Sequence, residues 1–297
     1  MTRPLTLLTI HAHPDDETIS TGGVMARYLD EGLRVVCLTS NLGEHGEIVV
    51  PELDTPENHA RLAAIRGQEL AEALRRLGGV ESRLLGYEDS GMMGTPDNDD
   101  PASFWQADLD EAIGRTVRVV REVKPDVVIG YNDFGGYGHP DHIRAAMVAK
   151  AAYERAGDAG AYPEQAADGL EPWAPSKLYY DRAFSPERFR ALHFALEESG
   201  LQSPYAERIA AWLETDAEGH TPPAPTHATT TQIECGDYFE ARDDALRAHR
   251  TQVDPEGFFF AVSPAMQRRV WPWEDYSLIQ SRVPADLPEK DFFAGLR

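Results

Sequence analysis

Five short apolar runs, each leading on to a stretch with helical spacing, constrain this chain more than any other feature. The runs fall near residues 5–10, 33–39, 82–86, 126–131 and 177–181. Between them, residues 21–31 read as a helix, and 57–77 as a second carrying Leu62, Ile65, Leu70, Leu74 and Leu77. A third, 108–123, carries Leu109, Ile113, Val117 and Val120. Apolar residues every three to four positions mark one face of a helix. Gly32 and Gly78 stand where the first two should stop, because glycine accepts the left-handed conformation that ends a helix. This alternation predicts an α/β fold: a Rossmann-like, mostly parallel sheet flanked by helices. No G-x-G-x-x-G follows the first strand, so the topology carries no dinucleotide implication.

Past residue 181 the regular alternation stops. A helix is expected near 186–199, a turn or linker at Thr221-Pro222-Pro223-Ala224-Pro225, a strand at Thr229-Thr230-Thr231-Gln232-Ile233 and a helix over 236–250. The reading is one large domain, which 297 residues with 42% hydrophobic content can fill. Residues 1–183 form the core, and 184–297 form an extension packed on it that walls the active site. There is no internal repeat.

The polar residues after two of these strands carry the chemistry. Leu5-Thr6-Leu7-Leu8-Thr9-Ile10 runs straight into His11-Ala12-His13-Pro14-Asp15-Asp16-Glu17. Three consecutive carboxylates repel one another unless a cation sits among them. Asp126-Val127-Val128-Ile129-Gly130-Tyr131 leads through a Gly-rich loop to His139-Pro140-Asp141-His142 and a helix over 143–150, with Pro140 suited to its first turn. In open α/β sheets the carboxyl ends of strands are where ligands bind. Two such ends can bring His13, Asp16 and His142 together. Two imidazoles and one carboxylate, with a position left for water, are the ligand set of a catalytic zinc site; Fe2+ also accepts it. His11 alternates with His13 along the strand and should face the other way. Asp15, beside a ligand but not needed as one, is placed to act as a base.

The A-H-P-D-D-E and H-P-D-H motifs resemble those of the PIG-L/LmbE-like zinc deacetylases. The likeness continues through Gly43-Glu44-His45-Gly46-Glu47, Asp89-Ser90-Gly91-Met92, Gly135-Gly136-Tyr137-Gly138-His139, the segment 172–180 and the segment Arg242–Gln252. It is strongest to the mycothiol branch, both the S-conjugate amidases and the deacetylases of the mycothiol precursor, and it spans residues 5 to about 285. The resemblance implies one Zn2+ per chain held by His13, Asp16 and His142, with Asp15 as general base. It implies that His139 stabilises the tetrahedral oxyanion or, as a cationic acid, protonates the leaving amine. Asp141 would then orient His139, and Tyr137 would polarise the amide carbonyl. Glu47, Arg66 and Asp89 match the family's sugar-hydroxyl contacts. One departure stands out. The family's conjugate amidases carry a lysine in the turn after the acidic run, whereas here it reads Thr18-Ile19-Ser20-Thr21-Gly22.

The implied substrate is a small N-acylglucosamine-type molecule. A net charge of −22 disfavours nucleic acid and anionic membranes as partners. No apolar segment is long enough to span a bilayer and no signal-peptide core is seen. Neither Cys37 nor Cys235 belongs to a paired spacing, so a reduced, cytoplasmic protein is expected; a homo-oligomer stays open. Two rival classes are distinguishable. A non-catalytic sugar-binding protein would want four protein ligands for a structural zinc. A two-metal phosphohydrolase would need further ligands, for which Glu44 and His45 are the candidates.

Overall fold

The computed structural model describes residues 3–210 and 227–297. The apolar runs form strands β1 (Thr6–His11), β2 (Arg34–Thr39), β3 (Glu81–Leu84), β4 (Val127–Gly130) and β5 (Lys177–Asp181), joined by β6 (Thr231–Glu234) and β7 (Trp273–Ser281). They make one seven-stranded sheet in the order β3-β2-β1-β4-β5-β7-β6. The first five are parallel; β7 pairs antiparallel with both β5 and β6. The main helices are α1 (Asp16–Asp30), α2 (Leu62–Arg76), α3 (Leu109–Val123), α4 (Pro140–Arg155), α5 (Pro186–Glu198), α6 (Phe239–Leu246) and α7 (Pro264–Val270).

Successive strand residues point to opposite faces of a sheet, and the two cores divide accordingly. Leu8, Ile10, Val36, Leu38, Val128 and Leu178 pack with α3 and α4 on one side. Leu7, Val35, Cys37, Val127, Ile129 and Tyr179 pack with α1, α2 and α6 on the other. Ile233, Tyr276, Phe292 and Phe293 join this second core, so residues beyond 184 extend both the sheet and the core. Near-continuous apolar strands are what a sheet covered on both faces requires.

The chain runs outward from β1 through β2 to β3, then crosses back to place β4 on the other side of β1. The strand order reverses there, and in open α/β sheets the carboxyl ends of the strands at such a point, here β1 and β4, are where ligands bind. Both polar motifs lie at those ends.

Several boundaries differ from expectation. The helix expected from residue 21 begins at Asp16, because Asp16 and Glu17 suit the positive end of the helix dipole. Thr18–Gly22 is therefore helix rather than turn. The 57–77 helix is broken: a short turn over Pro56–His59 precedes α2, with Arg61 outside helical conformation between them. The expected 236–250 helix is confined to Phe239–Leu246 after a 3-10 turn. Strand β7 and helix α7 were not expected. The Thr221–Pro225 linker lies outside the described residues. Among the described residues, no helix is long and apolar enough to cross a membrane.

Candidate active site

His13 lies just past β1, and Asp16 opens α1. The Asp16 carboxylate turns back to accept the His13 backbone N–H at 2.9 Å, which fixes it beside the imidazole. From the β4 side, His142 sits in the first turn of α4 and stacks on Tyr131, ring centroids 4.5 Å apart. Gly135 makes this approach possible: at φ 65°, a Cβ there would lie 2.6 Å from the Cβ of His142. Three atoms consequently face one another. His13 Nδ1 is 3.3 Å from His142 Nε2, His142 Nε2 is 3.3 Å from Asp16 Oδ2, and His13 Nδ1 is 3.6 Å from Asp16 Oδ2. Tetrahedral coordination with bonds of about 2.0–2.1 Å puts ligand atoms about 3.3–3.4 Å apart. The donor triangle fits such an ion.

The far side of each imidazole shows which atom is free. His13 Nε2 is 3.1 Å from Asp141 Oδ2, so that nitrogen carries a proton and Nδ1 is the atom turned to the triangle. His139 is different. Its Nδ1 accepts the backbone N–H of Asp141 at 3.1 Å, capping α4. The proton of the neutral ring is then on Nε2, which makes His139 a donor toward the cluster, although its ring nitrogen lies within 4.8 Å of the His13 and His142 ligand atoms.

The expected pairing of Asp141 with His139 is corrected here. Only the Asp141 backbone touches His139. Its carboxylate is fully buried and accepts from His13, from Asn41 Nδ2 at 2.9 Å, from the Ser90 backbone N–H at 3.0 Å and from the Ser90 hydroxyl. The reason is helical geometry: Asp141 and His139 are two positions apart around a helix start and do not face each other.

A family model described as GlcNAc-PI de-N-acetylase (PIG-L) matches residues 8–153. Mycothiol S-conjugate amidase of Streptomyces coelicolor is 40% identical over 303 aligned positions, covering 100% of this chain and 99% of that protein. The chain belongs to the PIG-L family. It is 42% identical to 1D-myo-inositol 2-acetamido-2-deoxy-alpha-D-glucopyranoside deacetylase of Geodermatophilus obscurus, again over 100% of this chain and 99% of the relative. Among solved structures, N,N'-diacetylchitobiose deacetylase from Pyrococcus horikoshii shares the fold, with a TM-score of 0.63 at 20% identity over 93% of this chain and 84% of that one. This PIG-L protein is thus an enzyme of the hydrolytic deacetylase and amidase kind. Metal dependence goes with the family, and the His/Asp cluster is where the chain can hold the ion.

Charge separates the two adjacent aspartates of the family motif. Burial pushes both carboxyls up. For Asp16 the neighbouring His142, His13 and His11 outweigh burial and bring it down to about 2. For Asp15 burial prevails over the opposing Arg66 and holds it at about 7. His13 is carried up to about 10, because Asp141 and Asp89 outweigh the burial that disfavours its charge. His139 is held down to about 4 by burial and by the nearby His13, and the helix N-terminus acts in the same direction. Both effects disfavour the cationic form that the family resemblance implies for His139.

The remaining expected residues are distributed as follows. Tyr137 stands half exposed on the single turn Gly135–Gly138, its Oη 3.5 Å from His142 Nε2. Arg66 is buried, and its guanidinium donates to the carbonyls of Gly43 and Pro14, both at 2.7 Å, with Asp15 Oδ2 at 3.4 Å. Asp89 is buried, with Oδ1 3.7 Å from His13 Nε2 and its oxygens accepting from the His45 and Gly91 backbone. Glu47 is exposed, and its carbonyl accepts from Gln252. His11 turns to Thr21, 3.0 Å away. Glu44 accepts the Asp89 N–H, and His45 lies 3.8 Å from Asp97; neither joins the donor triangle.

Sequence reasoning missed Asn41 and Ser90, which hold Asp141. Asn41 lies just past β2, and Ser90 lies in the family-like segment Asp89–Met92 after β3; neither place says that the side chain serves Asp141. It also assigned no role to Glu17 or His249, which form a buried pair 2.9 Å apart.

Proposed function

We propose that this protein is a mononuclear zinc amidohydrolase that removes the acyl group from an N-acylglucosamine-type small molecule. The observation that carries the reading is the donor triangle of His13 Nδ1, His142 Nε2 and Asp16 Oδ2, each pair 3.3–3.6 Å apart, with Asp15 next to it in the chain. Neighbouring carboxyls pushed apart in acidity take different roles. Asp16, the stronger acid, joins His13 and His142 as ligands; Asp15, poised near neutrality, is the base. The bound ion would act as a Lewis acid toward water and the amide oxygen.

The chain's own residues account for the proton movements. Asp15 takes a proton from the attacking water as its oxygen bonds to the acyl carbon. His139 Nε2–H, with Tyr137 Oη near His142, donates to the oxygen that becomes negative as the carbonyl opens. The carbon–nitrogen bond then breaks while the proton held by Asp15 passes to the leaving nitrogen, giving a free amine and a carboxylic acid. Asp141 keeps His13 oriented throughout. Arg66 and Asp89, committed to backbone and to His13, act by holding the loops. The exposed Glu47 carboxylate would accept a sugar hydroxyl.

The amidase and deacetylase relatives leave two acyl groups in view: a cysteinyl-type acyl chain carrying a sulfur substituent, and acetyl. Helix α1 offers no lysine where the conjugate amidases carry one, which favours the smaller group. Amine release from a panel of N-acetylglucosaminides and cysteinyl-glucosamine conjugates tests this reading. Release from the acetylated compounds at higher kcat/KM is expected, and a metal-loaded enzyme that releases amine from none of them would refute the proposal.

A further inference from the structure

Among the described residues, Asp15 is one of three non-glycine residues with positive φ, at φ 100° and ψ −36°. A side chain is strained in that region, and such a conformation persists only where the surroundings over-determine it. The Asp15 carbonyl accepts the Thr18 and Ile19 N–H groups of α1, both at 3.0 Å, and two further contacts hold its other side. Arg66 approaches the carboxylate, and Glu17 Oε2 accepts the Asp15 backbone N–H at 2.8 Å.

Glu17 is itself held from the far end of the chain. Its other oxygen accepts from the Thr18 hydroxyl at 2.6 Å and faces His249 Nε2 at 2.9 Å. Both the Glu17 and His249 side chains are completely buried. A carboxylate there needs a donor, since an unmet buried acceptor is costly. His249 Nδ1 has no hydrogen-bond partner among the described residues, so the ring's polar contact is the one to Glu17.

The segment carrying His249 is fastened on both sides. After α6, Thr251 donates its N–H and hydroxyl to Glu69 of α2, at 2.9 and 2.7 Å. The Val49 N–H donates to the Thr251 carbonyl at 2.9 Å, and Gln252 Nε2 to the Glu47 carbonyl at 2.9 Å. The imidazole is thus presented to Glu17 by a segment tied to α2 and to the loop after β2.

We propose that Glu17 and His249 form a buried latch that holds Asp15 in its strained conformation, with His249 a positioning residue acting through Glu17. The latch joins the C-terminal part of the chain to the catalytic loop, and it rests on the reading of Asp15 as base. Displacing a reacting group by about 1 Å costs about 10²-fold in rate. Loosening the latch should lower kcat about 10- to 100-fold and leave KM and metal content within about twofold of wild type.

The test uses the zinc-loaded enzyme and variants that differ only in reach. Gln at 249 extends an N–H donor about as far as Nε2, whereas Asn stops short; Leu removes the donor. His249→Gln should retain most of kcat, while His249→Asn and His249→Leu should lose it, with faster amide exchange at Asp15. In an Asp15→Asn background, His249→Asn should cost nothing further, since residues acting as one unit are non-additive. Unchanged exchange at Asp15 in His249→Asn would overturn the latch. Faster exchange with kcat intact would instead leave the latch standing and remove Asp15 as base. Independent, multiplicative losses in the double variant would show that His249 acts by another route, and would overturn its positioning role.

Discussion

Asp141→Asn isolates what a buried carboxylate does behind a metal-binding histidine. The side chain is fully buried and takes four donors: His13 Nε2–H, Asn41 Nδ2, and the Ser90 N–H and hydroxyl. Three of these converge on Oδ2, while Oδ1 meets only the Ser90 hydroxyl, which can rotate to accept instead of donate. An asparagine can therefore place its oxygen at the Oδ2 position and its NH2 toward Ser90, keeping the geometry. What is lost is the charge that stabilises the proton on His13 Nε2 and raises the basicity of Nδ1. Losing such an outer partner weakens metal affinity about 10- to 100-fold, equivalent to about 1.4–2.7 kcal/mol. Asp141→Ala removes the oxygen as well and should destabilise the fold by about 3–5 kcal/mol, as when one member of a buried charged pair is deleted. Chelator competition measures the first effect and denaturant unfolding the second. An Asp141→Asn protein that holds zinc within twofold of wild type, or Asn and Ala variants of equal stability, would refute this account.

Asp15→Asn should keep the ion and lose about 10²- to 10⁴-fold in kcat, the usual contribution of a positioned base; elemental analysis and steady-state kinetics check both. Because burial raises the Asp15 carboxyl to about 7, the charged form is disfavoured in the fold. Its cost to stability is absent below the ordinary carboxyl range and grows as pH rises toward about 7. Thermal melts of the apoprotein should therefore show Asp15→Asn more stable than wild type at pH 8 and no more stable at pH 4. With the base protonated below its own pKa, kcat should fall on the acid side from near neutrality, and a bound cation should move that limb downward. His139, held down to about 4, is neutral through the working range. His139→Ala should thus lower kcat about 10²- to 10³-fold as an oxyanion donor without moving the alkaline limb. His13 carries a proton that an ion must displace from Nδ1, so metal loading of the apoprotein near pH 7 should release about one proton, visible as buffer-dependent heats in calorimetry.

The parallel half of the fold was legible because its strands are buried on both faces and read as unbroken apolar runs. Leu7/Leu8 and Val127/Val128 each send one side chain to either core, and that demand leaves a plain trace. Strand β7 leaves none. Its buried Glu274 and Asp275 break the apolar pattern, and they serve as acceptors: Glu274 for the Gly23 and Val24 N–H groups, Asp275 for Ser185 and Trp271. Polar residues buried for hydrogen bonding cannot be told from solvated ones by periodicity. The same limit applied at the site. Motif spacing brought His13, Asp16 and His142 to one sheet edge, but which carboxylate faces which imidazole is decided by contacts across more than a hundred residues, such as Asp141 to His13. Arg66, expected at the substrate, also donates to the carbonyls of Pro14 and Gly43, contacts that no sequence spacing announces.

The central claim is one catalytic ion held by His13, Asp16 and His142, and the most direct measurement is the metal content of dialysed His142→Ala protein beside its amine-release rate. Wild type should hold one ion per chain and cleave an N-acylglucosaminide, and the variant should lose ion and activity together while keeping its fold by circular dichroism. A folded His142→Ala protein that keeps a full equivalent of metal, or a wild type that holds two, would contradict the account.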